Sequence, residues 1–480
     1  MPKKKVVMKK VVNPVEPEIE ADGGGGIGIG ALLALPLVGL LAACGGGSGS
    51  EPINITPPAT VTVPSVTPPA IVSNSYFSAP QKITGIQIDI PTTQTANGWV
   101  FAYTVGGFYY TNGTLSVIPT FYPWNSVNAD PAQVGKHFDV YLKELVYSLQ
   151  GTVATYRPGT AEVSSLSKAI EIADFNGDGI NDVFIGDAGY DAYPFPGGQN
   201  TLLFGNPNGT FTKGILPTKL DFTHSSDVAD INGDGFIDIF VGNAKLTGET
   251  PYFLINDGRG NFTENANLLH GLPGYFDRAP YVTYTASMLG DINSDGKMDL
   301  VLGGLNTGSE FLTWDGSKFV VTQHLYMKDD ATRSITSVTY ADLDKDGKNE
   351  IIMHSTNQTT GAFYNEDRID IWKLDANGNY AQTQQMYTSK TAWNQNLYVT
   401  DVNKDGYLDF VALGHDSKLF LNDHGTFNES NYDLPGDANT AAVEMWDINN
   451  DGRLDVLYTQ FEPSTSSANI HSLGVYVVFG

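Results

Sequence analysis

The sequence predicts an all-β protein, a β-propeller assembled from repeated four-stranded units. Three observations carry that prediction. An acidic nine-residue motif recurs six times between residues 174 and 455. Strand-forming runs flank every copy. A second strand, a Gly turn and another strand follow five of the copies, so one unit holds four strands in about 55 residues, the size of a propeller blade.

The motif is D-x-[DN]-x-D-G-x-x-[DE]. "DFNGDGIND" starts at Asp174, "DINGDGFID" at Asp230, "DINSDGKMD" at Asp291, "DLDKDGKNE" at Asp342, "DVNKDGYLD" at Asp401 and "DINNDGRLD" at Asp447, with starts 56, 61, 51, 59 and 46 residues apart. Ca²⁺ takes six to eight hard oxygen ligands at about 2.3–2.6 Å, and a tightly curled loop aims positions 1, 3 and 5 at one point. Gly at position 6 accepts the positive φ that reverses the chain. Position 7 offers its carbonyl. Ile180, Phe236, Lys297, Lys348, Tyr407 and Arg453 occupy it and share no side-chain chemistry. The acid at position 9 is expected to close the shell with both oxygens. The expected ligands are Asp174, Asn176, Asp178 and Asp182; Asp230, Asn232, Asp234 and Asp238; Asp291, Asn293, Asp295 and Asp299; Asp342, Asp344, Asp346 and Glu350; Asp401, Asn403, Asp405 and Asp409; and Asp447, Asn449, Asp451 and Asp455.

Like charges packed this closely repel strongly, so the loops call for cations. They hold nineteen of the 53 acidic residues, and six bound Ca²⁺ would bring the net charge from −26 to −14. Asx-rich turns without metal are the plainer alternative, since Asp, Asn and Gly favour turns anyway. An EF-hand is excluded: its loop ends in Glu at position 12 and lies between helices. Here short strand-like runs follow each loop ("VFIG", "IFVG", "LVLG", "IIMH", "FVAL", "VLYT"), and apolar residues alternate before it (Ile170 and Ile172, Val338 and Tyr340, Leu397 and Val399, Val443 and Met445). Those periods place each loop in a β-hairpin. After the following Gly turns, Phe211, Phe262, Phe319, Tyr380 and Phe427 fall at matching places and are expected to pack between neighbouring units.

The units resemble the FG-GAP/VCBS repeats of integrin α-chain head domains and bacterial surface proteins; "HSSDVADINGDGFIDIFVGN" (224–243) is a close match. The resemblance covers 164–480 and implies a calcium-binding β-propeller, commonly seven-bladed. Glu350 departs from the Asp of the other copies and can still ligate. The last unit ends at "LGVYVVFG" without its fourth strand. The region 97–118 is expected to supply it by pairing with 472–480, with 80–163 completing a blade that has no calcium loop. "VGKHFDVYLKELVYSL" (134–149) is ambiguous and could form a short helix inserted there.

The amino-terminal region is an address and a tether. A basic start, "MPKKKVVMKK", precedes the apolar run "IGIGALLALPLVGLLAA" (27–43), which ends in "LAAC" at Cys44, the single cysteine. This resembles the lipobox of bacterial lipoproteins and implies cleavage after residue 43, lipid on Cys44 and anchoring at the outer membrane or cell surface. Glu16, Glu18, Glu20 and Asp22 depart from that pattern, and an uncleaved anchor is the alternative; both readings export the rest of the chain. Residues 44–79 are Gly/Ser-rich, then Pro-rich through Pro57, Pro58, Pro64, Pro68 and Pro69, an extended spacer on the order of 100 Å. The propeller is expected over 80–480. One cysteine excludes a disulfide framework.

The acidic balance argues against a nucleic-acid partner. The expected function is a monomeric, non-catalytic module that binds a protein or glycan on a propeller face. Long loops at 187–201, 265–285 and 355–367 are candidates for that surface, with Tyr190, Tyr193, Tyr275, Phe276, Tyr281 and Tyr284 in the first two. The alternative is a polysaccharide lyase or hydrolase on the same scaffold. Against it, the histidines are scattered, His224 and His354 adjoin strands, and no G-x-S-x-G or H-E-x-x-H motif occurs.

Overall fold

The computed structural model describes residues 76–125 (except 92 and 95–98), 142–157 (except 144), 162–163, 167–189, 197–244, 250–269, 283–357, 365–436 (except 391 and 393), 440–462 (except 441) and 470–480. The leader, Cys44, the tether, and Tyr190, Tyr193, Tyr275, Phe276 and Tyr281 lie outside these residues. Among the described residues no helix is long and apolar enough to cross a membrane.

Antiparallel pairing dominates the architecture; Gln81–Pro91 and Val153–Arg157 meet in parallel at Thr84 and Val153. Five four-stranded meanders follow one another, each with an acidic loop between its first two strands. Unit 1 comprises Ser167–Ala173, Asp182–Asp187, Thr201–Gly205 and Phe211–Lys213. Unit 2 comprises Thr223–Ala229, Asp238–Asn243, Tyr252–Asn256 and Phe262–Asn265. Unit 3 comprises Thr283–Gly290, Asp299–Leu305, Ser309–Trp314 and Phe319–Leu325. Unit 4 comprises Arg333–Ala341, Glu350–Asn357, Asn365–Leu374 and Tyr380–Tyr387. Unit 5 comprises Asn394–Thr400, Asp409–Gly414, Lys418–Asp423 and Thr426–Glu429. Unit 6 has three strands of its own, Val443–Trp446, Asp455–Glu462 and Ile470–Val478.

The missing strand of unit 6 comes from the other end of the chain, and here the sequence expectation needs correcting. Gln81–Pro91, not 97–118, pairs antiparallel with Ile470–Val478. Trp99–Thr111 instead pairs with Thr114–Asn125 around an Asn112–Gly113 turn and founds an amino-terminal unit completed by Leu145–Gln150 and Val153–Arg157. A two-residue Asn-Gly loop with both residues at positive φ (52° and 71°) matches the right-handed twist of its strands. The open reading at 134–149 resolves as strand over Leu145–Gln150; residues 126–141 lie outside the described set.

The first strands touch in a cycle: unit 1 against 2, 2 against 3, 3 against 4, 4 against 5, 5 against 6, unit 6 against the amino-terminal unit, and that unit against unit 1. The apolar cores lie in the seams. Phe184, Ile239 and Tyr252 fill the seam of units 1 and 2; Phe240, Phe253 and Leu300 that of 2 and 3; Val301, Met353 and Trp372 that of 3 and 4. Ile352, Ile371 and Phe410 join 4 to 5, and Val411, Met445 and Val456 join 5 to 6. A larger cluster with Phe108, Val183 and Val475 brings unit 6, the amino-terminal unit and unit 1 together.

The matching aromatics behave as expected. Phe211 meets Tyr109 of the preceding unit edge-on at 5.8 Å, Phe262 meets Phe175, Phe319 stacks on Phe253 and Tyr380 packs on Phe311. Phe427 departs slightly and stacks on Phe410 of its own unit. Tyr284 is a second correction. It lies in a strand, not a loop, and is 2% exposed in the seam of units 2 and 3, because the first strand of unit 3 starts at Thr283.

Candidate metal centres

Each acidic loop is a compact curl held by its own side chains. The first aspartate accepts from the backbone N–H of the sixth residue: Gly179 to Asp174 at 2.9 Å, Gly235 to Asp230 at 2.8 Å, Gly347 to Asp342 at 3.0 Å, Gly406 to Asp401 at 2.9 Å and Gly452 to Asp447 at 3.0 Å. In the third loop Gly296 donates to both oxygens of Asp291 at 3.2 Å. The fifth aspartate accepts from the seventh residue, as with Ile180 to Asp178 and Phe236 to Asp234. Such bonds are local Asx turns. They bring positions 3 and 5 together: the Asn232, Asn293, Asn403 and Asn449 amides lie 2.8–3.3 Å from the carboxylates of Asp234, Asp295, Asp405 and Asp451.

The curl needs positive φ twice. Gly at position 6 provides one, as the spacing predicts. Position 4 is left-handed as well, and there Gly177 and Gly233 are joined by Ser294, Lys345, Lys404 and Asn450 at 57–62°. The sequence pattern did not show this, because residue types at position 4 vary.

Burial grades steeply along the loop. The first aspartate is half-buried, the fifth exposed and the ninth acid completely buried in all six copies. One oxygen of the ninth acid accepts from the second residue's N–H: Phe175, Ile231, Ile292, Leu343, Val402 and Ile448, at 2.8–3.1 Å. Its other oxygen accepts from the far end of the third strand or just beyond: Gly205 to Asp182, Asn256 to Asp238, Asn422 to Asp409 and Gly480 to Asp455, at 2.8–2.9 Å. The ninth acid is thus a staple between loop and sheet, a role the sequence reading did not give it. Loops also bond to the following unit. Asn256 donates to Phe175 O, Asn422 to Leu343 O at 2.8 Å, and Tyr380 to Ile292 O.

Desolvation, with the neighbouring carboxylates adding to it, pushes the ninth acids up: Asp182, Asp238 and Asp455 to about 6, Asp299 and Glu350 to about 7, and Asp409 in the same direction. Buried carboxylates with raised pKa call for positive charge. The residues fit a hard divalent cation. The donor set is all oxygen, Asp299 Oδ1 and Asp401 Oδ1 are buried without a hydrogen-bond partner, and the ligand atoms of Asp342, Asp344 and Glu350 lie within 4.8 Å of one another.

A hydroxyl–imidazole–carboxylate arrangement outside the loops escaped the sequence reading, because its members are far apart in the chain. Thr336 Oγ1 lies 3.0 Å from His354 Nδ1, and His354 Nε2 lies 4.0 Å from Asp367 Oδ2. All three are at most 1% exposed, burial drives the imidazole down to about 3, and the second separation exceeds a hydrogen bond. The group sits across three strands of unit 4, and the Thr336–His354 bond joins two of them. His224, likewise, is buried against Phe222.

The family described as FG-GAP-like repeat matches residues 174–241, 291–353 and 401–458. Each match opens on the first aspartate of one acidic loop and ends in the second strand of the next unit, so the matches take in all six loops. No curated protein matches the sequence. Among solved structures, Saccharomyces cerevisiae Sqt1 is 10% identical with a TM-score of 0.45, covering 78% of this chain and 95% of that one. The Pseudomonas aeruginosa periplasmic gluconolactonase PpgL is 12% identical with a TM-score of 0.41, covering 72% and 95%. The exo-β-1,3-galactanase 1,3Gal43A from Clostridium thermocellum is 10% identical with a TM-score of 0.31, covering 78% and 95%. At these scores the likenesses carry no argument about activity.

Proposed function

The chain carries FG-GAP-like repeats, and from that premise we propose a calcium-stabilised, seven-bladed propeller, displayed at a bacterial surface as a non-catalytic binding module for a protein or glycan. The observation that supports it is the repetition of one loop architecture at the same corner of six meanders, each with a buried ninth carboxylate. Bound Ca²⁺ supplies two positive charges to each loop and offsets the repulsion among its acids. Asp174, Asn176, Asp178 and Asp182, and their counterparts in the other five loops, hold the ions. The opposite ends of the strands, where 187–201, 265–285 and 355–367 connect, then face the partner. Lipid on Cys44 and the proline-rich spacer hold the propeller away from the membrane.

A glycan array and a pull-down with the calcium-loaded protein test the reading. Saturable binding that survives mutation of Thr336, His354 and Asp367 supports a binding module. Turnover of a polysaccharide without product-independent binding would replace it with the lyase or hydrolase alternative.

A further inference from the structure

The six loops are not equivalent. In five of them position 3 is Asn and position 9 is Asp, giving three carboxylates each; the loop of unit 4 has Asp344 and Glu350 at these places and so has four. The residue facing the ninth acid across the second and third strands also differs. By strand register it is Phe204 in unit 1, Ile255 in unit 2, Thr313 in unit 3, Leu421 in unit 5 and Phe479 in unit 6. In unit 4 it is Lys373. The Lys373 ammonium forms an ion pair with the carboxylate of Asp344 and lies 3.8 Å from Glu350 Oε1.

The ammonium offsets the fourth carboxylate, so the acids of this loop together with Lys373 carry the same charge as the three acids of each other loop. They are not interchangeable in space, however. Asp344 and Glu350 are two of the three acids whose ligand atoms converge within 4.8 Å, and the ammonium contacts both. A divalent ion placed among them would sit beside a fixed positive charge, and like charges a few ångströms apart repel even at an effective dielectric near 20. Of the two lysines in the loop itself, Lys345 is turned away, its ammonium 3.7 Å over the ring of Tyr407 in unit 5, and Lys348 at position 7 is exposed.

We propose that Lys373 is a tethered cation of the unit 4 loop, holding Asp344 and Glu350 in place of part of a divalent ion, so that this loop binds calcium most weakly of the six and keeps its shape without it. This rests on the calcium reading of the other five loops. The advantage is positional. Lys373 stands on the third strand of its own unit and draws the loop onto the sheet, as the backbone amides of Gly205, Asn256, Asn422 and Gly480 do for the ninth acids of units 1, 2, 5 and 6.

Calcium titration by calorimetry, with native mass spectrometry to count ions, tests the proposal on the wild-type protein and on Lys373→Met. The wild type should show five tighter sites and one weaker. In Lys373→Met the weak site should tighten by about tenfold, a figure reduced from the bare Coulomb effect because Lys373 is partly exposed. The same variant should melt earlier than wild type in excess chelator, since it loses the built-in cation. A double variant, Asp344→Asn with Lys373→Met, restores the charge pattern of the other loops and should bring the sixth site level with them. Six equivalent sites in the wild type, or unchanged or weaker binding in Lys373→Met, would overturn the proposal while leaving the calcium reading intact. A wild type that takes up no calcium at any loop would remove the reading and the proposal together.

Discussion

Two kinds of hairpin join first and second strands in this molecule. Among the described residues six are nine-residue acidic curls; another, in the amino-terminal unit, is the two-residue turn Asn112–Gly113. Both deliver the chain to the same place in a four-stranded meander, and both bond to an adjacent unit: Asn112 donates to Asn181 O at 3.0 Å, as Asn349 donates to Ile292 O at 3.1 Å. The meander therefore does not require an acidic loop. Its architecture comes from alternating apolar strands and the seams between units, and the short hairpin shows that a tight turn of suitable φ suffices. What the acidic loops add is a charged site with a buried anchor, which on the proposed calcium reading is unfavourable alone and favourable with a cation. The comparison separates fold, which the amino-terminal unit shares with the other six described units, from the proposed ion dependence, which only the six should have.

The largest effect that tests this separation is chelation. Each site loaded at a hundred times its Kd contributes about 2.7 kcal/mol, so removing calcium should lower the melting temperature by ten degrees or more. Hydrogen exchange read at the same time should quicken across 174–182 and the five matching loops, and change little across 108–118. An unchanged melt in excess chelator would erase the distinction between the two hairpins.

Next in size is the ninth acid. Asp238→Ala leaves the buried N–H groups of Ile231 and Asn256 without their acceptor, at a cost of about 3 kcal/mol without calcium and more with it, because a proposed ligand is lost as well. Asp234→Ala removes an exposed carboxylate and should matter only when calcium is present. Denaturant midpoints measured in both conditions distinguish a staple from a ligand; equal losses for the two variants in chelator would deny the staple.

A smaller effect follows from pH. The ninth acids of units 1, 2, 3, 4 and 6 titrate near 6 to 7 in the metal-free fold and near 4 when unfolded. Between those values the folded state binds more protons, so metal-free stability is lower at pH 7.5 and rises as pH falls toward about 4.5. Chelated protein should melt roughly 3–5 °C higher at pH 5.5 than at 7.5, whereas the calcium-loaded form should melt lower at 5.5 because protons compete with the ion. Parallel slopes in scanning calorimetry would contradict the assignment. Smallest of all, Gly113→Ala should cost about 1 kcal/mol through its φ of 71° and be indifferent to calcium, tying that hairpin to backbone conformation alone.

The six loops could be read from the sequence because their chemistry is local: nine residues contain the spacing, the reversal at position 6 and the acids themselves. Strand periodicity around them gave the meanders, and the aromatics after each turn gave the seams. The closing strand could not be read so directly. Gln81–Pro91 and 97–118 are both rich in strand formers, and the partner of a closing strand lies at the far end of the chain, where sequence spacing says nothing about proximity. Tyr284 failed for a related reason, since an aromatic near a loop becomes core once its strand begins one residue earlier.

By itself, the sequence determined where the acidic loops fall and that strands surround them, since both depend on interactions within a few residues. Tertiary structure alone decided that the ninth acid of each loop is buried and, in units 1, 2, 5 and 6, bonded at the end of the third strand, that Gln81–Pro91 completes unit 6, and that Lys373 faces Glu350. These follow from strand register and from how units stack, which bring together residues that no local pattern links.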